Sequence, residues 1–225
     1  MVQGVVFIKR LAKDSITAFI ILLLVGCSAP EAGGASSPKR LMDIAVKSVV
    51  EDDYASFLKL IPPADRKDFV TQGVSLSMMP LMMMLKTFPS EGLKKTLDEF
   101  ARDLNLDEDD QRTPGRITLP RGADLEHAFV AAMRLQQDAR IVEKNEGSIV
   151  TQKSIKLKET SFYYLAAATN IEIKKIDGNT SVADVTFPLV RQGTEKTLSV
   201  YIIQKEGVWY LKMSPPLWPW TNPYQ

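Results

Sequence analysis

The sequence predicts an α+β fold in which a helical N-terminal half precedes a curved antiparallel sheet of three to five strands. Between residues 38 and 147 the apolar residues recur at helical spacing, and between residues 148 and 213 they mostly alternate with polar ones. The chain is 45% hydrophobic and 24% charged, which is typical of a folded domain. Helices that come before an antiparallel sheet are typical of the α+β class, and we expect them to cover one face of the sheet.

Amphipathic patterns predict four helices in the first half, with one or two additional turns between residues 64 and 70. A serine followed by a proline, Ser37-Pro38, marks the start of the first helix. The other three cover Tyr54 to Ile61, Glu91 to Leu104 and Ala123 to about Val142. The polar stretch between the last two helices predicts a loop.

Alternating patterns predict four strands in the second half. They cover Thr169 to Ile176, Ser181 to Val190, Lys196 to Lys205 and Val208 to Met213. Asp177-Gly178 and Glu206-Gly207 are turn sequences that join neighbouring strands. A further strand is predicted at Ile149 to Lys158. In the resulting antiparallel meander, one face is expected to be packed and the other to be partly exposed to water.

The first 26 residues have the layout of a secretory signal peptide. The basic residues Lys9, Arg10 and Lys13 precede an apolar run from Ala18 to Val25. The uncharged stretch that ends at Cys27 has only 13 residues, whereas a membrane-spanning helix needs about 20. We therefore expect this segment to be removed rather than to span the membrane.

Cys27 is the only cysteine of the chain, and it ends the sequence Leu24-Val25-Gly26-Cys27. This sequence, directly after an apolar run, resembles the lipobox of bacterial lipoproteins that signal peptidase II processes. The resemblance implies cleavage between Gly26 and Cys27, acylation of the Cys27 thiol and anchoring in a membrane. Each buried methylene of an acyl chain contributes about 0.8 kcal/mol to such an anchor, so several chains hold firmly.

The residues after Cys27 indicate where the protein is held. In Gram-negative lipoproteins an aspartate at the next position favours the inner membrane, so by the same resemblance Ser28 implies the outer membrane, facing the periplasm. The periplasmic face of the inner membrane and the cell surface are the alternatives. Residues 27–37 are small and polar, which predicts a flexible tether. Residues 38–225 are then expected to form a single domain.

Composition limits the possible partners and cofactors. Removal of residues 1–26 changes the formal charge from +1 to −1. Without a basic excess, nucleic acid is not an expected partner. A single histidine, His127, excludes a metal site with two imidazoles, and the sequence contains no phosphate-binding glycine loop. We expect no cofactor, and we expect partners in the membrane itself and in an envelope protein or lipid.

Five of the nine methionines lie between residues 78 and 84. Thioethers are soft ligands suited to Cu(I), so Met79, Met82 and Met83 are candidates for a copper site. If Pro80 opens a helix, consecutive methionines point about 100° apart, and only Met79 with Met82 or Met83 converges. Packing in a core, or a flexible apolar surface for a lipid or partner, therefore fits better than copper handling.

A second resemblance concerns the folded domain. The helix from Met42 to Tyr54, with its acidic turn, and the hairpin Leu198 to Met213, with its Gly-x-Trp-x-Leu pattern, resemble small bacterial lipoproteins with the cone-shaped fold of nuclear transport factor two. That resemblance implies a concave sheet face with an apolar pocket. Phe187, Tyr201 and Trp209 are candidates for its lining, although ordinary core packing is the interpretation that we favour for all three.

The tail at residues 214–225 combines prolines with aromatic residues. Proline at this density favours an extended path, and Trp218 and Trp220 either pack on the domain or enter a partner. Together these observations predict a non-enzymatic, lipid-anchored envelope protein that acts as a binding or assembly module. A hydrolase-like enzyme that uses the concave pocket is the rival prediction.

Overall fold

Six α-helices and four strands make up most of the regular structure in the described part of the chain. The computed structural model describes residues 33–87, 89–107, 117–145, 162–189 and 194–212, and for residues 136–145 it describes the backbone alone. The helices are α1 (Pro38–Val50), α2 (Tyr54–Leu58), α3 (Arg66–Thr87), α4 (Glu91–Asp103), α5 (Leu125–Asn145) and α6 (Tyr163–Ala166). The strands are β1 (Asn170–Lys175), β2 (Thr180–Pro188), β3 (Glu195–Lys205) and β4 (Val208–Leu211). Helices precede the sheet, so the predicted α+β class is confirmed.

Several helices begin at a residue whose side chain caps free amide groups. Ser37 accepts a hydrogen bond from the amide of Arg40 at 3.2 Å, which confirms the predicted start of α1. At the start of α5, Asp124 accepts hydrogen bonds from the amides of Glu126 and His127, each at 3.0 Å. Short-range sequence therefore determines where these helices begin.

The four strands form an antiparallel meander in the order β1-β2-β3-β4. Their bounds agree with the predicted ones within two residues. Glu206 and Gly207 join β3 to β4 with φ angles of 53° and 81°, which is the backbone of a tight hairpin with the right-handed twist of the strands. The strand predicted at residues 149–158 lies outside the described residues.

The helices cover one face of the sheet. Helix α1 packs against β2 and β4, and α6 packs against β2. The sheet residues on this side are buried: Ala183, Val185, Val200, Ile202 and Leu211. The opposite face carries polar side chains and the 41% exposed Tyr201, whereas Tyr210 of β4 on the same side is buried. The alternation in the sequence therefore predicted the packed and the exposed face correctly.

Helix α5 lies at the centre of the helical part and contacts α2, α3 and α4. Its Phe129 is fully buried and is surrounded by aromatic rings from α2, from α3 and from Phe162, the residue directly before α6. The Ser77 hydroxyl of α3 lies 3.0 Å from the carbonyl oxygen of Ala132 in α5 and 2.9 Å from that of Gly73. Aromatic packing around Phe129 and the hydrogen bonding of the Ser77 hydroxyl thus hold α3 to α5.

The chain after residue 65 forms more helix than the one or two turns predicted between residues 64 and 70. A single 22-residue helix, α3, covers this stretch, and it does not begin at Pro80. Pro80 lies in its interior, where it cannot donate to the carbonyl of Leu76. Its side chain is exposed, whereas Met78 and Leu81 beside it are buried. Burial of these apolar neighbours offsets the lost hydrogen bond, so the helix continues through the proline.

Gly73 provides a test of how α3 packs on α5. It lies inside the helix, and an added Cβ would lie 3.7 Å from the ring of Phe129, which is ordinary van der Waals contact. Glycine in a helix interior is less favourable than alanine, so we expect Gly73→Ala to raise the free energy of unfolding by about 0.5–1 kcal/mol. Gly73→Leu is the matched variant, because its longer side chain would run into Phe129 and cost about 1–3 kcal/mol. Urea unfolding measures the stability of both variants. A lower free energy of unfolding in Gly73→Ala would contradict the distance described between Gly73 and the Phe129 ring.

Candidate functional site

A cleft of about 400 Å³ lies between the N-terminal half of α1 and strand β1. Its lining residues are Ser37, Pro38, Lys39, Met42, Asp43, Ile171 and Ile173. Most of the lining is apolar, with one lysine and one aspartate among it. This volume falls in the range of sites that bind small molecules or single side chains of a partner.

The cleft exists because β1 is only partly covered by the helical layer. Ile171 and Ile173 alternate along β1 and point to the packed side of the sheet, where Val185 and Ala183 face them in the register. Val185 and Ala183 are fully buried, whereas the two isoleucines are half-buried. Helix α1 contributes the buried Met42 to the opposite wall. The sheet therefore presents an incompletely covered apolar strip at this side.

Strand β1 also forms an open edge of the sheet. Ile176 N donates to Thr180 O at 3.0 Å, so the even-numbered residues of β1 direct their peptide groups toward β2. The peptide groups of Ile171, Ile173 and Lys175 consequently point away from the sheet. In the described ranges no strand pairs with this edge.

The edge at β4 differs because other segments cover it. Ala35 and Trp209 exchange two backbone hydrogen bonds of 2.9 Å and 2.8 Å. The amide of Leu211 donates to Leu60 O at 2.9 Å. Since an uncovered edge is the usual template for pairing with another chain, β1 is the edge at which an additional strand can bind.

A hydrogen-bonded network crosses the exposed face of the sheet beside this edge. Ser199 Oγ donates to Asp184 Oδ1 at 2.6 Å, and Lys174 Nζ lies 2.9 Å from Asp184 Oδ2. Lys174 Nζ also lies 3.4 Å from Glu172 Oε2. The Ser199 hydroxyl and then the Lys174 ammonium lower the pKa of Asp184, and the two carboxylates raise the pKa of Lys174. These contacts join β1, β2 and β3 on the exposed face of the sheet.

Ser199→Ala tests this network through its pH dependence. The pKa of Asp184 is lowered in the folded protein, so its stabilising contribution is present above the ordinary pKa of about 3.9 and is lost as the pH falls through the lowered value. Removing the hydroxyl raises the folded pKa toward the ordinary one. We expect Ser199→Ala to destabilise the protein by about 1 kcal/mol at pH 7, with a smaller difference below about pH 4.

Urea unfolding at several pH values and an NMR titration of the Asp184 carboxyl measure this effect. The matched control is Thr197→Ala, because the Thr197 hydroxyl lies 3.0 Å from the uncharged hydroxyl of Thr186. Its effect should not depend on pH. An equal pH dependence for the two variants would contradict the role of Ser199.

The three residues predicted to line a pocket on the sheet do not come together. Phe187 is buried, and its ring centroid lies 6.1 Å from that of Tyr163 and 6.2 Å from that of Tyr164. Trp209 lies on the same packed face, whereas Tyr201 lies on the opposite, exposed face. A common pocket for the three residues is therefore corrected to core packing for Phe187 and Trp209 and to an exposed position for Tyr201.

The methionines of α3 face in different directions. Met82 is buried, Met83 is 58% exposed and Met79 is half-buried. A copper site needs its sulfurs to face one point, and Met82 and Met83 do not do so. Gly26, Cys27, Trp218 and Trp220 lie outside the described residues.

The single histidine pairs with a carboxylate on the neighbouring helix. His127 Nε2 lies 2.9 Å from Asp103 Oδ2, and both side chains are about half exposed. Within the described ranges, no three His, Cys, Asp or Glu side chains are placed to hold a metal ion. Tyr164 is buried, and burial raises the pKa of its hydroxyl, so this group stays protonated at neutral pH.

The main cleft residues, Met42, Ile171 and Ile173, were not predicted. The sequence feature that could have indicated them is the position of β1 at the start of a meander, because the first strand of such a sheet lies at an edge.

Compared with known proteins, the chain matches no family model, no curated protein and no solved structure. Among the helices of the described residues, none is long and apolar enough to cross a bilayer. A functional proposal for the folded part therefore starts from the cleft and the open edge.

Proposed function

We propose that this chain is a lipid-anchored protein of the bacterial envelope, held at the periplasmic face of the outer membrane, and that its folded part is a non-enzymatic binding or assembly module. The lipobox-like sequence that ends at Cys27 supports the anchor. The observation that carries the binding role is the apolar cleft beside the open edge of β1.

The position of the cleft in the chain suits a module that works near a membrane. Ser37 and Pro38 line the cleft and come about ten residues after Cys27. Ten residues span at most about 35 Å when fully extended. An acyl group on Cys27 would therefore keep the cleft within about this distance of the bilayer surface, where envelope partners are concentrated.

The lining of the cleft favours binding over catalysis. Met42, Ile171 and Ile173 offer apolar contact, and Lys39 and Asp43 are the ionisable residues of the lining. The pair of His127 and Asp103, which a rival enzyme hypothesis could use, lies on α5 and α4 rather than in the cleft. The Nε2 atom of that imidazole faces the Asp103 carboxylate on an exposed surface.

Intact mass measurement of the protein purified from a bacterial host tests the anchor. The expected product lacks residues 1–26 and carries the mass of acyl chains on Cys27. Cys27→Ser is the matched variant, and it should retain the N-terminal segment and gain no acyl mass. A wild-type product that keeps its first 26 residues, or carries no lipid, would refute the proposed anchoring.

A photo-crosslinking amino acid at position 39 tests the binding role in intact cells. Lys39 lines the cleft, whereas Lys47 lies two turns further along the same helix and is 72% exposed. We expect a discrete covalent product from position 39 and none from position 47. Identical products from the two positions, or no product from position 39, would argue against the cleft as the binding surface.

A further inference from the structure

Strand β1 exposes backbone groups and apolar side chains that an added strand would cover at the same time. The peptide groups of Ile171, Ile173 and Lys175 point outward, as the hydrogen bond from Ile176 N to Thr180 O requires. The side chains of Ile171 and Ile173 face the cleft and are half-buried. Acyl chains would cover the isoleucines but would leave the peptide groups without hydrogen bonds. The edge therefore favours a polypeptide strand.

Backbone geometry limits which registers are possible when two copies of β1 meet in an antiparallel pair. Only odd-numbered residues of β1 direct their peptide groups outward, so odd-numbered residues must face odd-numbered residues. Ile173 of one copy can then face Ile171, Ile173 or Lys175 of the other. These three registers differ in which charged side chains face each other on the exposed side of the sheet.

Charge selects one of the three registers. Glu172 and Lys174 lie on the exposed face of the sheet, at successive positions on that side of β1. When Ile173 faces Ile173, each Glu172 faces Lys174 of the other copy. The two alternative registers place Glu172 opposite Glu172 or Lys174 opposite Lys174. Opposite charges across a strand pair stabilise it and like charges destabilise it.

We infer that the partner at the β1 edge is a second copy of this chain, paired antiparallel across a two-fold axis at Ile173. The two four-stranded sheets then form one continuous sheet of eight strands, and the interface is the same patch on both copies. The Ile173 side chains of the two copies meet on the packed side, where the two clefts adjoin. The inference rests on the binding surface of the proposed function and names its partner, but it does not require acylation.

Charge exchange tests the pairing in the full-length chain, purified in detergent and measured by analytical ultracentrifugation. We expect the wild type to dimerise. Glu172→Lys makes the exposed side of the edge wholly cationic, Lys174→Glu makes it wholly anionic, and each should weaken self-association by roughly tenfold or more. An equimolar mixture of the two variants should associate again, because every facing pair then has opposite charges. Circular dichroism confirms that each variant is folded.

Disulfide formation tests the register. In the inferred pair the Cα atoms at position 173 face each other about 5.5 Å apart, which a disulfide can bridge. The Cα atoms at position 175 lie about 14 Å apart along the strands and cannot be bridged. In the full-length chain, Ile173→Cys should therefore form a covalent dimer under mild oxidation, and Lys175→Cys should not. The wild type, which keeps Cys27, shows any contribution of that thiol.

Three outcomes would overturn the inference: a wild-type chain that is monomeric at all concentrations, variants that fail to associate when mixed, or equal cross-linking at positions 173 and 175. Its failure can be separated from that of the proposed function. Suppose that Cys27 carries acyl mass and that the crosslinked product from position 39 contains a different protein. The proposed binding function would then hold, but with a partner other than a second copy of this chain. A dimer without acyl mass would support the pairing and refute the anchor.

Discussion

Replacement of Phe129 by alanine is expected to lower the free energy of unfolding by about 3–5 kcal/mol, because it removes the ring at the centre of the helical core. The side chain of Phe129 is fully buried. Its ring centroid lies between 5.3 and 6.5 Å from those of four other rings, which belong to Tyr54, Phe57, Phe69 and Phe162. The cavity left by the substitution would therefore open between α2, α3, α5 and the residue that precedes α6.

Urea unfolding followed by circular dichroism measures this loss. Since domains of this size are stable by only about 5–15 kcal/mol, Phe129→Leu is a useful second variant that leaves a smaller cavity and should lose less. Tyr201→Ala is the control, because that ring is 41% exposed on the other face of the sheet, and it should cost less than about 1 kcal/mol. Similar losses for Phe129→Ala and Tyr201→Ala would contradict the described core.

Periodicity predicted those parts of the fold in which each element has one apolar side. The helix predicted from Ala123 buries Phe129, and the strand predicted from Lys196 to Lys205 alternates so that Val200 and Ile202 lie on the packed face. That same alternation implied that Tyr201 faces away from them. A pocket containing both Tyr201 and Phe187 was thus inconsistent with the strand period, and the register between β2 and β3 makes the inconsistency visible.

Helix α6 was not predicted because its signal is not periodic. Tyr163, Tyr164 and Leu165 are consecutive and all are buried, so no polar side marks a helix. Phe162, directly before them, has a φ of 59°, a left-handed backbone that non-glycine residues rarely adopt. The fully buried Phe162 ring packs 4.4 Å from that of Phe57. A contact distant in sequence, rather than local preference, therefore holds the chain in this conformation.

The binding site could not be predicted from the sequence because it depends on which strand edge is left uncovered. Ile171 and Ile173 have the same pattern as the buried residues of β2, and only the limited reach of α1 leaves them half-buried. The opposite edge is covered by Ala35, which pairs with Trp209. Both circumstances depend on tertiary packing. The anchor at Cys27, by contrast, stays a prediction from sequence alone.

Gly34→Ala is expected to cost roughly 2–5 kcal/mol, because it combines backbone strain with a steric clash. Gly34 has a φ of 77°, which disfavours any side chain. An added Cβ would lie 2.5 Å from Val208 Cγ1 and 2.8 Å from the carbonyl oxygen of Trp209. Because that oxygen belongs to the backbone of β4, the strand or the covering segment would have to move. The substitution would thus displace Ala35 from Trp209 and expose the second edge of the sheet.

Gly122→Ala is the control that separates the two causes. Gly122 has a φ of 82°, similar to that of Gly34, but nothing lies within 4 Å of its added Cβ. It should therefore cost only the conformational part, about 1–2 kcal/mol. Chemical denaturation gives both losses, and hydrogen exchange of the Trp209 amide, which donates to Ala35 O at 2.8 Å, reports the covered edge. In Gly34→Ala, exchange of the Trp209 amide should accelerate by more than the lower global free energy of unfolding of this variant explains. If both variants lose the same free energy of unfolding and the Trp209 amide stays protected from exchange, the segment at Gly34 does not cover this edge of the sheet.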